Sequence, residues 1–210
     1  KGINVWDMEN KKYLDFSYMG VGTNILGYGN EEVDEAVQNT VNAGNLSTLN
    51  CPEEVYLADK IIKLHPWSQM VKFARTGGEA NAIAIRIARS YSDKQNIAVC
   101  GYHGWHDWYL ALNLKNKNNL DSFLIKNLSI KGVPSNLKET IFSFQYNDFD
   151  QLNYLIKNKN IGIIKMEVTR NLSPNDNFLK KIRRVCDKNK IVLIFDECTS
   201  GFRRNLGGLH

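Results

Sequence analysis

Between residues 161 and 196 the chain reads Ile161-Gly162-Ile163-Ile164-Lys165-Met166-Glu167, then a helical stretch from Asp176 to Lys188, then Ile191-Val192-Leu193-Ile194-Phe195-Asp196. Two short apolar runs separated by one helix describe a β-α-β unit. Strands that are apolar at consecutive positions suit a parallel sheet covered on both faces, because a sheet with one wet face alternates. The pattern extends backwards. Strands are expected at Thr140 to Phe144, Asn96 to Cys100 and Met70 to Phe73, with helices at Asp148 to Lys157 and Glu79 to Tyr91. An Asn- and Lys-rich excursion, Leu112 to Lys138, reads as a long loop with a short helix. The fold class is therefore α/β, a mostly parallel sheet with helices on both faces.

The first part of the chain reads differently. Ile3 to Asp7 and Lys12 to Phe16 form a hairpin through Met8 to Lys11, and a glycine-rich stretch runs from Gly20 to Gly29. A helix from Asn30 to Ala43 carries Val33, Val37 and Val41 on one face. A second follows Pro52, which fits a first helical turn, with Val55, Ala58, Ile61 and Ile62 on its stripe. The expected division is a hairpin and helical segment over residues 1–50 and a ligand-binding α/β domain over residues 51–210.

At 210 residues, 43% hydrophobic and 23% charged, the chain has the composition of a globular protein large enough for a sizeable core. The longest aliphatic and aromatic run is far too short to span a bilayer, so no membrane partner is expected. The net charge of +5 comes from basic residues scattered along the chain. A nucleic-acid site would concentrate them, so no nucleic-acid partner is expected. Cys51, Cys100, Cys186 and Cys198 form no C-x-x-C pair, and Lys1-Gly2 leads straight into strand-like sequence. A reducing cytoplasmic location is the expectation.

Ligands of open α/β sheets bind at the carboxyl ends of strands. After Phe73 comes Ala74-Arg75-Thr76-Gly77-Gly78-Glu79-Ala80. Paired glycines at a helix N-terminus let the backbone approach a phosphate, while T-x-x-E is equally a capping box that needs no ligand. It is neither a dinucleotide fingerprint nor a P-loop. After Cys100 comes Gly101-Tyr102-His103-Gly104-Trp105-His106-Asp107. Its aromatics and glycines suit the wall of a planar ring better than a metal site, with His103 a polar or stacking contact and Trp105, Trp108 and Tyr109 in packing roles. No metal is expected. Glu167, followed by Asn171, and Asp196-Glu197 close the last two strands. A carboxylate in such a place needs a partner, either an arginine, of which Arg203 is nearest in sequence, or a cationic ring nitrogen on a cofactor. Lys72 and Lys165, inside strands, are expected to point away from the crevice or to lie below it.

These motifs, in this order, resemble the class III aminotransferases, within the fold type I enzymes that use pyridoxal 5'-phosphate (PLP). Asp196-Glu197-Cys198-Thr199-Ser200-Gly201-Phe202-Arg203 is similar to the family's D-E-V-x-[TS]-G-F-R stretch, and Thr76 to Ala80 to its phosphate loop. Tyr102 to Asp107 resembles its ring-stacking segment, and Glu167 to Asn171 its E-P motif before an asparagine. Within the family, glutamate-1-semialdehyde 2,1-aminomutase and its aminotransferase relatives are the most similar subgroup. The resemblance implies a truncated large domain that binds PLP. Thr76, Gly77 and Gly78 would take the phosphate. Tyr102 and Cys198 would lie on opposite ring faces, Asp196 would pair with the pyridine nitrogen as the catalytic carboxylate, Asn171 would reach the ring hydroxyl, and Glu167 would support the site. It further implies a homodimer acting on a small amino or oxo substrate, by transfer or by intramolecular migration. The Schiff-base lysine is expected beyond His210, with the incomplete large domain. Gly78 departs from the family's hydroxyl residue and Cys198 from its valine. Alternatives to this reading are a non-catalytic PLP-binding homologue and a nucleotide-dependent α/β enzyme.

Overall fold

The computed structural model describes residues 1–45 and 48–210. Its contacts group Lys1–Met70 as one unit and Val71–His210 as a second; the expectation drew the division at residue 50.

The second unit is built on four parallel strands: β3 (Asn96–Cys100), β4 (Ile141–Ser143), β5 (Ile161–Glu167) and β6 (Val192–Asp196), in the spatial order β4-β3-β5-β6. Strand alternation sends two sets of side chains to opposite faces. Ile97, Val99 and Ile163 pack with Ile85 and Ala88 of α3 (Gly77–Ser92) and with Trp108 and Tyr109 of α4 (Asp107–Leu110). Ala98, Cys100, Ile164 and Met166 pack with Leu152 and Leu155 of α5 (Phe149–Asn158) and with Phe178, Ile182 and Cys186 of α6 (Phe178–Asn189). Every residue of β5 is buried. A strand flanked by two neighbours and covered on both faces has nowhere to expose a side chain, and its continuous apolar reading follows from that. Each such aliphatic side chain contributes roughly 1.5–3 kcal/mol on burial. In the excursion after α4, Leu120 and Asn113 are buried, and Asn113 accepts the Leu120 amide at 2.9 Å, so this stretch is tied into the core.

One expected strand is absent. Met70 to Phe73 lies outside every ladder among the described residues. Its apolar residues favour extended backbone, but a strand needs a hydrogen-bonded neighbour, and β6 pairs only with β5 in this sheet.

The first unit holds an antiparallel pair, β1 (Asn4–Trp6) with β2 (Lys12–Leu14), and two helices, α1 (Glu31–Ala43) and α2 (Pro52–Leu64). The Asp7 carboxylate accepts the amides of Glu9 and Lys11, which pins the hairpin turn. Asn30 caps α1 by accepting the Val33 amide, and Gly44, at φ +97°, ends it. Neither helix contains a buried residue, and Val33, Val37 and Val41 are exposed.

Candidate functional site

Glu167 and Asp196 end neighbouring strands and pair directly in register. Two like charges side by side under cover must each be compensated. Glu167 is held by Arg170, whose Nη2 and Nε donate to its carboxylate at 2.6–3.0 Å, and by the Tyr102 amide at 3.2 Å. Asp196 takes His103 Nδ1 at 2.9 Å and Lys165 Nζ at 3.2 Å on Oδ2, and the Cys198 amide at 3.0 Å on Oδ1. His103 and Lys165 are each 1% exposed. Burial alone would raise the Asp196 carboxyl, but the His103 hydrogen bond and the Lys165 charge outweigh it and hold it well below the usual carboxylate range. Burial pushes His103 down, so the ring is neutral and donates its Nδ1 proton to Asp196. Its Nε2 is buried without a hydrogen-bond partner among the described residues.

Helix α3 brings its N-terminus to the same strand ends. Thr76 Oγ accepts the Glu79 amide, and the Glu79 carboxylate accepts the Arg75 and Thr76 amides, so the capping box is formed. The capping box uses the Thr76 oxygen only as an acceptor, so the Thr76 O–H and the first helix amides, at Gly77 and Gly78, stay available as donors at a positive helix end. A Cβ on Gly77 would stand 3.6 Å from Cys198 Sγ, and one on Gly78 would stand 2.7 Å from His106 Nε2. Glycine at position 78, in place of a hydroxyl residue, thus accompanies an imidazole occupying the space. Asn81 of α3 donates to the His103 carbonyl at 3.2 Å, fastening the aromatic segment to the helix.

Tyr102 stands edge-on to Tyr109, whose hydroxyl donates to the Gly101 carbonyl. Tyr102, Glu167, Arg170 and Asn171 line a cavity of about 340 Å³ together with Ser122 and Gln145. Of the residues expected to bind a ligand, Thr76, Gly77, Gly78, His103, Asp196 and Cys198 thus surround the carboxyl ends of the strands. Tyr102, Glu167 and Asn171 face the adjoining cavity. Of the two partners open to Asp196 from sequence, an arginine or a cofactor nitrogen, the arginine is not found: Arg203 donates to the Gly201 carbonyl, and within the protein Lys165 and His103 meet the carboxylate. Lys165, expected to point away from the crevice or to lie below it, instead brings its ammonium to the crevice carboxylate. Two residues escaped the sequence reading, Lys165 as a counter-ion and Arg170. The signal for the first was available: Lys165 is the one cation in an apolar strand and shares the parity of Glu167. Among the described residues no group of three or more His, Cys, Asp or Glu could hold a metal.

The arrangement offers a helix end with free donors, the Cys198 thiol beside it, and a part-buried carboxylate able to face a cationic nitrogen. A flat, phosphorylated heterocycle is complementary to all three. The fold is that of transaminases of fold type I. It superposes on an omega-transaminase from Sphaerobacter thermophilus with a TM-score of 0.84, at 26% identity over 99% of this chain and 49% of that one. A transaminase with PLP bound gives 0.81 at 25% identity, covering 95% and 47%.

The chain belongs to the class III aminotransferase family, which it matches over residues 1–207. Similar curated relatives include a 3-aminobutyryl-CoA aminotransferase of Cloacimonas acidaminovorans, 35% identical, and a glutamate-1-semialdehyde 2,1-aminomutase of Francisella philomiragia, 36% identical. Each alignment covers 99% of this chain and 48% of the relative, so the chain spans about half the length of these proteins.

Proposed function

We propose that this chain forms part of a PLP-dependent enzyme that transfers an amino group to an oxo-compound or moves it within one. The observation that carries the reading is Asp196, a part-buried carboxylate at the end of β6 held by His103 and Lys165, with Cys198 two residues on lying beside Gly77 at the N-terminus of α3. Aminotransferases and an aminomutase both stand among the relatives, so both outcomes of the chemistry belong to the proposal.

When bound, PLP supplies an electron sink for charge that develops at the substrate carbon. Thr76, Gly77 and Gly78 would hold the phosphate through the hydroxyl and the helix-end amides, and Cys198 and Tyr102 would cover the ring and exclude water. Asp196 would keep a proton on the ring nitrogen, its orientation fixed by His103 through Nδ1. Asn171 would bind the ring hydroxyl, and Glu167, clamped by Arg170, holds the Tyr102 amide in place. The site lies within the proposed PLP-binding portion, residues 51–210.

We place the enzyme in the cytoplasm as a homodimer. Free thiols at Cys51, Cys100, Cys186 and Cys198 suit a reducing compartment, and no helix among the described residues is long and apolar enough to cross a membrane. Tyr18, Val21 and Ile25 are exposed, with Met19 beside them, and offer apolar surface to a second copy. The full chain should take up PLP stoichiometrically and pass an amino group to an external keto acid, or isomerise an amino-oxo substrate without one. A full chain that binds no PLP overturns the reading.

A further inference from the structure

The buried ammonium of Lys165 is the feature the reading above does not use. It projects from the α3-covered face of β5, two residues before Glu167, and reaches Asp196 Oδ2 at 3.2 Å. That oxygen also takes His103 Nδ1, and the other takes the Cys198 amide, so Asp196 accepts three hydrogen bonds from the protein itself. A ring nitrogen placed against this carboxylate meets a charge that is already half spoken for.

We propose that Lys165 is a positioning residue of the cofactor site that acts through Asp196: it holds the carboxylate and competes with the ring nitrogen for its negative charge, making that nitrogen less basic than one opposite an aspartate without a lysine. The inference rests on the PLP reading above. Its physical ground is that two cations facing one buried carboxylate repel each other, and each lowers the other's hold on a proton. Burial pushes Lys165 itself downward, and the charges of Asp196 and Glu167 oppose that shift.

The other groups around Lys165 do not cancel this effect. Glu167 is neutralised by Arg170 and His103 is neutral. Burial raises the thiol of Cys198 and the phenol of Tyr109, which keeps both uncharged at neutral pH. On α3, Glu79 is turned back onto the Arg75 and Thr76 amides, Arg89 donates to the Gln95 carbonyl at the far end, and Arg86 is exposed. A less protonated ring is a weaker electron sink, so Lys165 would set how strongly the cofactor acidifies its substrate.

The test is a pH titration of the ring nitrogen by ¹⁵N NMR, with ¹⁵N-labelled PLP bound to the full chain, in wild type, Lys165→Met and Lys165→Arg. The expected result is an upward move of about one to three pH units in Lys165→Met and a wild-type value in Lys165→Arg, which keeps the charge. A titration unmoved by Lys165→Met, with PLP still bound, overturns the inference alone and leaves Lys165 a structural counter-ion. Absence of PLP binding in wild type overturns the cofactor reading and the inference with it. Should Lys165→Met fail to fold, the wild-type titration decides. A ring nitrogen protonated up to about pH 10, where lysine itself titrates, overturns the inference, and deprotonation well below that supports it.

Discussion

Two regions of this chain carry apolar patterns of similar strength and use them in opposite ways. In Val71–His210, β5 is buried at every position and the helices on either face each send residues into a core. In Lys1–Met70, α1 and α2 are also amphipathic, yet neither buries a residue. Periodicity therefore reports that a face exists, not that the chain covers it. A helix draws most of its stability from packing such a face, so the first unit is held chiefly by local devices, namely the Asp7 turn, the Asn30 cap and the Gly44 stop.

The contrast can be broken at several points. The largest effect is expected on activity. Asp196→Ala in the full chain removes the charge that stabilises a protonated ring nitrogen, and amino transfer should fall by about 10²-fold or more. Steady-state rates together with circular dichroism would show whether the loss is chemical; near-normal turnover with PLP bound would mean that Asp196 lacks this role. Stability should separate the two units next. Ile164→Ala opens a cavity in a fully buried layer and should cost about 2–5 kcal/mol, whereas Val37→Ala on the exposed face of α1 should stay within about 0.5 kcal/mol. Urea denaturation of both variants measures the difference, and equal losses would place the α1 face under cover in the assembled protein.

Acid should discriminate in the same way. The folded pKa of Asp196 lies below its ordinary value of 3.8, so folding favours the ionised form. That stabilisation is complete above about pH 4 and is lost as pH falls toward the depressed folded value. Asp196→Asn should flatten the fall in stability over this window. Asp7 and Asp15 are also lowered, by hydrogen bonds from Lys11 and Tyr13 and from Ser17 and Tyr28, but both are open to solvent. Asp7→Asn should leave the acid slope nearly unchanged, and denaturation midpoints at a series of pH values would reveal any departure. The smallest effect is expected at the phosphate loop. A methyl group in Gly78→Ala would press on His106 and should weaken PLP binding a few-fold, roughly 1 kcal/mol; His106→Ala in the same protein should restore the affinity. If the double variant binds no better, the imidazole is not the obstacle.

Much of the second unit was legible in its residues because a parallel sheet covered on both faces leaves a nearly continuous apolar signature at β3, β5 and β6. The ends of those strands were legible as well, since a carboxylate following such a run is anomalous. Met70 to Phe73 misled because local sequence reports a preference for extended backbone, while a strand exists only with a partner to bond. Lys165 was hidden for a related reason: within a strand, sequence tells which side chains share a face, but not how far a flexible four-carbon stem reaches. The β-α alternation, the glycine-rich helix start, the family and the carboxylates at the strand ends are all readable from residue order. Which groups meet follows from long-range packing. The register of β5 on β6 sets Glu167 beside Asp196, and compensating those two charges assigns Arg170 to one and Lys165 with His103 to the other. Glu167 and Arg170 are only three positions apart, but Asp196 meets Lys165 and His103 across 31 and 93 positions, and the register and packing that set such pairings are not written in any local stretch of chain.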